Sequence, residues 1–170
     1  VHGTDVVAAC GAAVVPVADA QYTRESGLAC AVLTADCLPV LFCAADGSQV
    51  AAAHAGWRGL AAGVLLNTLQ QFADPAQVLV YLGPAISMDN FEVGPEVKAA
   101  FAWASEQCFR PGQGDRVYAD LYQLAREQLL NAGVRRVDGG EFCTYRDSDR
   151  FYSYRRAART GRQAILIWRL

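Results

Sequence analysis

Two apolar runs, Leu38 to Ala44 and Gln49 to His54, stand on either side of Asp46-Gly47, a residue pair that makes a tight turn. No other feature limits the fold so closely, because two strands joined by so short a connection pair as an antiparallel hairpin. Cys30 to Thr34 reads as a further buried strand just ahead of them. Helical spacing follows: Ala61, Val64, Leu65, Thr68, Leu69 and Phe72 line one face of a predicted helix over Leu60 to Phe72. A strand is expected at Gln77 to Leu82. Val97, Phe101, Ala104 and Cys108 form a second helical stripe, entered through Pro95 and Glu96, which suit a first turn. Leu121, Leu124, Ala125 and Leu129 form a third, expected to stop near Gly133. Arg110 to Asp115 reads as an exposed loop between those two helices, and Ala164 to Trp168 as a closing buried strand. Strands and helices interleave, so the expectation is one layered α/β domain over residues 1–170.

Composition removes several classes of function. With 53% hydrophobic and 19% charged residues the chain is no disordered segment. A formal charge of −2 leaves too little positive charge for a broad phosphate-neutralising face, so no nucleic-acid partner is expected and any anion site is local. The apolar stretches break well short of the roughly 20 residues a spanning helix needs, so no membrane partner is expected. His2, Thr4 and Asp5 stand where a signal peptide would be basic and then apolar, and a cytoplasmic protein is the expectation. The six cysteines include no C-x-x-C pair and read as mostly buried thiols.

The chain holds two histidines, His2 in V-H-G-T-D and His54 in A-H-A-G-W-R-G, each beside small residues and glycine that leave room for a metal or a substrate. Cys37 follows Asp36 between two predicted strands, where a loop can project side chains into a pocket. One cysteine and two histidines are a sufficient protein set for a catalytic zinc with a fourth position open, and their spacing matches no zinc finger or ribbon. The same donors suit copper, although two histidines are few for a multicopper cluster. Gly56 to Gly59 follows a strand and opens a helix, so Gly56 and Arg58 are candidate phosphate contacts. Tyr154, Arg155 and Arg162, in an arginine- and tyrosine-rich carboxyl-terminal cluster, are further candidates for clamping phosphate and stacking on a planar ring. Asp36 is a candidate proton shuttle or an organiser of the Cys37 loop.

Taken in order, V-H-G-T-D, T-A-D-C-L-P-V-L-F, A-A-A-H-A-G-W-R-G, L-G-P-A-I, F-E-V-G, C-T-Y and F-Y-S-Y-R-R with T-G-R resemble the YfiH family. That family has been labelled multicopper polyphenol oxidase, or laccase, then purine nucleoside phosphorylase with adenosine deaminase activity, and also peptidoglycan editing factor. The resemblance implies an α/β/α fold with a mixed sheet, likened to cysteine hydrolases, and a metal, usually zinc, on residues matching His2, Cys37 and His54. The implied reactions are phosphorolysis of adenosine, inosine, guanosine and methylthioadenosine, with deamination of adenosine as a second activity. Purine nucleosides and phosphate are thus the expected partners, and zinc the expected cofactor with copper as the alternative. Family members usually carry a segment ahead of the V-H-G motif that this chain is expected to lack, and the Ser87-Met88-Asp89-Asn90 rim departs from the usual Gly-Pro. A metal-free Cys37 nucleophile with His54 as base, and a binding module without turnover, are the competing readings.

Overall fold

The computed structural model describes residues 2–11 and 16–170. In chain order its elements are β1 (Val6–Ala8), β2 (Ala20–Thr23), β3 (Ala29–Thr34), β4 (Leu38–Ala44), β5 (Val50–Ala55), α1 (Trp57–Ala62), α2 (Val64–Leu69), β6 (Val78–Leu82), β7 (Glu92–Val93), α3 (Pro95–Ala100), β8 (Phe109–Pro111), β9 (Val117–Ala119), α4 (Leu121–Asn131), β10 (Arg136–Gly139) and β11 (Gln163–Trp168). The expected hairpin is its centre. Leu38 pairs with Ala55 and Cys43 with Val50, and the connecting turn is closed by Ser48 N–H donating to Asp46 Oδ1 at 2.9 Å, with Gly47 at φ +72°. The six-stranded sheet runs β1-β2-β5-β4-β6-β10, antiparallel through its middle and parallel at both ends. It is the mixed sheet expected.

Strand alternation then sorts side chains between two cores. Leu38, Val40 and Phe42 of β4, Ala51, Ala53 and Ala55 of β5, and Val78, Val80 and Leu82 of β6 pack with Leu60, Val64, Leu65, Leu124 and Leu129 of the helices. The alternate residues, Val50 and Ala52 with Leu41 and Cys43, meet Cys30, Val32, Ile165 and Ile167 from an antiparallel ribbon of β3 and β11. Helices cover one face of the central strands and the ribbon covers the other. Ala51, Ala52, Ala53 and Ala55 are all fully buried, so β5 has short side chains on both faces and both layers approach it closely.

Four local expectations change. The single helix over Leu60 to Phe72 is two helices, because Gly63 takes φ +95° and serves at once as the end of α1 and the start of α2. The 95–108 stripe is buried as expected, but only Pro95–Ala100 is helical; Ser105 N–H donates to Glu127 of α4 at 2.9 Å, and the chain resumes as a short 3-10 turn, Glu106–Cys108. Arg110 to Asp115 belongs to a β-hairpin rather than a loop between helices, since Phe109–Pro111 pairs with Val117–Ala119. β11 is half-buried: Ile165 and Ile167 face the core while Leu166 and Trp168 are 44% and 51% exposed. The third helix ends as expected, with Ala132 capping it and Gly133 at φ +97°. Cys30, Cys108 and Cys143 are buried, and all six cysteines are unpaired.

α4 is tied to the loop after β6 by one hydroxyl. Tyr122 Oη accepts from Ala85 N–H at 2.7 Å and donates to Phe142 carbonyl oxygen at 2.8 Å, in a buried position. Tyr122→Phe keeps the ring and leaves both backbone groups unmatched, so the free energy of unfolding is expected to fall by about 1–3 kcal/mol in urea denaturation. A loss under about 0.5 kcal/mol would show that this hydroxyl contributes little.

Candidate metal centre

The β4–β5 register fixes the first two members of the site. Pro39 lies opposite His54, so the residue before β4, Cys37, falls beside the end of β5 at Gly56. His2 comes from farther away: β1 runs parallel to β2, β2 pairs with β5, and Asp19 and Ala20 N–H both donate to Asp5 carbonyl oxygen at 3.0 Å. Asn67 Nδ2, on α2, donates to Thr4 carbonyl oxygen at 3.1 Å, and Gly3 lies against Gly59 of α1, so the chain ahead of β1 is laid over both helices. One donor atom from each of His2, Cys37 and His54 lies within 4.8 Å of the others. The two imidazole rings meet edge to face with centroids 5.2 Å apart.

The glycines of H-A-G-W-R-G make that approach sterically feasible. A Cβ at Gly56 would stand 3.0 Å from His2 Cδ2 and 3.1 Å from Cys37 Sγ, and one at Gly59 would stand 2.7 Å from Gly3 carbonyl oxygen. Both glycines are therefore space for the His2 segment and the cluster. Donor chemistry fits a borderline-soft ion, since a thiolate with two imidazoles suits zinc and also copper. Burial pushes the Cys37 thiol up to about 11, the Asp36 charge adds to the rise, and Arg162 opposes it.

The cluster opens into a cavity of about 720 Å³ lined by Val32, Ile86, Phe91, Tyr154, Arg155 and Arg162 among others. Asp36, at φ +88°, holds its rim together. Its Oδ1 accepts from Thr144 Oγ1 and its Oδ2 from Arg155 N–H, both at 2.7 Å, and its carbonyl oxygen accepts from Ile86 N–H at 3.0 Å. One residue thus gathers the loop after β6, the C-T-Y segment and the carboxyl-terminal arginines beside Cys37.

The structure brings His2, Cys37, His54, Asp36, Tyr154, Arg155 and Arg162 to one cavity, with Gly56 against the cluster itself. Arg58 stands next door: its guanidinium stacks on Trp57 at 4.2 Å from the ring centroid, and it lines an adjoining groove that shares Phe91 and Arg155 with the cavity. Arg156 is taken up by the fold, donating to the carbonyl oxygens of Thr144, Tyr145 and Phe151. Asp19, Thr144 and Phe91 were not singled out by sequence reasoning. Asp19 lies between two alanines with no turn residue to mark it, and Thr144 and Phe91 belong to motifs noticed for their neighbours.

The chain resembles known proteins along its length. The family model for multi-copper polyphenol oxidoreductase laccase matches residues 1–170. Purine nucleoside phosphorylase YfiH of Escherichia coli (strain K12) is 52% identical over 174 residues, covering 99% of this chain and 71% of that protein. Among solved structures, a Neisseria meningitidis protein is similar at TM-score 0.95 and 50% identity, covering 99% of this chain and 72% of that one. YlmD from Geobacillus stearothermophilus is similar at TM-score 0.89 and 33% identity, covering 99% and 71%.

Gly56→Ala places its methyl group against two of the three donors. Overpacking of about 1–3 kcal/mol concentrated there is expected to weaken binding of added zinc by about fivefold or more in competition with a chelator. Affinity within twofold of the parent protein would show that the cluster can shift aside. The high thiol value gives a second expectation, with its sign set by the need for a thiolate. Alkylation of Cys37 in metal-free protein, followed by mass spectrometry of its peptide, should be slow at neutral pH and accelerate as pH rises toward about 11. A rate already at its plateau near neutrality would contradict the raised value.

Proposed function

The chain belongs to the multi-copper polyphenol oxidoreductase laccase family, and on that footing we propose that it is a zinc-dependent purine nucleoside phosphorylase acting on adenosine, inosine, guanosine and methylthioadenosine, with adenosine deamination as a second activity. The observation that carries this reading is the convergence of His2, Cys37 and His54 at the mouth of an arginine-flanked cavity, in a chain 52% identical to a protein named as a purine nucleoside phosphorylase. His2, Cys37 and His54 would hold the ion. When bound, it supplies Lewis-acid polarisation and makes water acidic enough to act as a nucleophile near neutral pH.

Arg155 and Arg162 line the cavity with Tyr154 and are assigned to phosphate and the planar base; each already gives one guanidinium nitrogen to backbone carbonyls, Arg155 to Glu92 and Arg162 to Gly161, and keeps others for a ligand. Phosphorolysis then forms a bond from a phosphate oxygen to C1′ of the ribose as the C1′–N9 bond breaks. The bonding pair leaves with the purine, which takes up a proton to become the free base. Bringing phosphate and nucleoside together in line supplies the entropic part of the acceleration. Asp36 is assigned a positioning role, because both of its carboxylate oxygens already accept hydrogen bonds that place Thr144 and Arg155. Arg58, stacked on Trp57 in the groove that adjoins the cavity at Arg155, is the further cation within reach of a phosphate there.

Copper-dependent oxidation of phenols is the reading the family's name favours, and the donor set suits copper as well as zinc. The described residues bring one such group of three ligands together, and both histidines of the chain are in it. One assay separates the two. Protein incubated with adenosine and phosphate is expected to release adenine and ribose 1-phosphate, with inosine and hypoxanthine alongside, and to lose this on chelation or in Cys37→Ala. Absence of all these products, with oxygen-dependent oxidation of a phenol after copper loading, would reverse the assignment.

A further inference from the structure

One buried charged side chain beside the cluster takes no part in the chemistry above. Asp19 lies just before β2 and is 3% exposed. Its backbone is fully engaged: N–H donates to Asp5 carbonyl oxygen at 3.0 Å and the carbonyl oxygen accepts from His54 N–H at 2.8 Å. Its carboxylate is not. Oδ1 has no hydrogen-bond partner among the described residues, and it lies 3.9 Å from Nδ1 of His54. That is beyond hydrogen-bond distance yet within reach of a small rotation of either side chain. The other oxygen lies beside the His2 segment, for a Cβ at Gly3 would stand 3.1 Å from Oδ2.

Asp19 is outside the group whose donor atoms converge, so it stands behind a ligand rather than among them. A buried carboxylate atom without a partner is strongly disfavoured unless something completes it. Charge points the same way. A dication held by one thiolate and two neutral imidazoles keeps one positive charge, and a single adjoining carboxylate neutralises it. Asp36 is not placed to accept from His54, because both of its oxygens already accept from Thr144 and Arg155.

We propose that Asp19 is a positioning residue for the metal centre: its carboxylate accepts the Nδ1 proton of His54, fixes the imidazole tautomer and orients Nε2 toward the ion. This rests on the reading of His2, Cys37 and His54 as ligands. Zinc affinity, read by competition with a chromophoric chelator, tests it on the full chain for the parent protein, Asp19→Ala and Asp19→Asn, alongside thermal melts of each in metal-free form. Asp19→Ala is expected to bind zinc about 10–100-fold more weakly. Asp19→Asn keeps the shape and an oxygen acceptor and is expected to fall between the two. Both metal-free variants should melt at or above the parent temperature, because an unpartnered buried carboxylate has been removed. Zinc affinity within twofold of the parent in both variants overturns the proposal. So does a loss of affinity accompanied by a clear drop in metal-free melting temperature, which would mark Asp19 as structural. Should Asp19→Ala fail to fold, the isosteric Asp19→Asn decides alone. A parent protein that binds neither zinc, cobalt nor copper overturns the metal centre itself, and is distinguishable from a parent that binds while the variants bind equally well.

Discussion

The antiparallel register of β4 against β5 is the constraint on which the molecule depends. A one-residue slip of β4 on β5 would exchange the two faces of β4, sending Val40 and Phe42 toward the ribbon and Leu41 and Cys43 toward the helices. It would also carry Cys37 away from Gly56. The closely turned Asp46-Gly47 connection and the burial of both strand faces resist that slip together. Core packing and site geometry are therefore set by one pairing, and a substitution that loosens the sheet centre would be felt at the cluster.

Asp36 performs a related service at higher local strain. A non-glycine residue at φ +88° costs about 1–3 kcal/mol. Two hydrogen bonds to its carboxylate contribute about 1.5–3 kcal/mol each, so the conformation is sustained by what it binds. Because those donors belong to Thr144 and Arg155, strain beside Cys37 is balanced by order in the carboxyl-terminal segment. The Ala85–Cys143 bridge and the Thr144 N–H bond to Ala85 carbonyl oxygen, 3.0 Å long, extend the same linkage to the loop after β6. The cavity wall is thus assembled from three distant stretches through one residue.

Much of this was legible in the amino-acid order. The turn between two apolar runs gave the hairpin, and a hairpin through Asp46-Gly47 already brings Cys37 near His54. Glycines around the histidines signal close approach, and the His2 segment is the part of the chain that comes nearest to Gly56 and Gly59. What could not be read depended on partners remote in sequence. His2 reaches the cluster through two strand pairings, one of them parallel, that local periodicity does not encode. The break at Gly63 was hidden because apolar spacing continues straight across it. The 95–108 stripe was correct as a burial pattern and wrong as a helix, since a hydrogen bond from Ser105 to Glu127 outweighs spacing alone. Arg58 reads as an anion contact from its place in the motif, and its stacking on the adjacent Trp57 ring, which sets where the guanidinium stands, is not encoded in that spacing.

The two buried carboxylates near the cluster show how the fold separates support from readiness. Asp36 and Asp19 are each at most 9% exposed, and each flanks a member of the His/Cys/His group. Asp36 has a donor on each oxygen and is complete within the polypeptide. Asp19 keeps one oxygen unmatched and turned toward an imidazole. A fold selected for stability alone has no reason to retain the second arrangement, because an apolar or amide side chain would relieve it. Its retention makes sense where the adjoining ring must be held in one tautomer by a charge that is not already committed. On that argument the unsatisfied atom is a property of the site rather than a flaw in the packing.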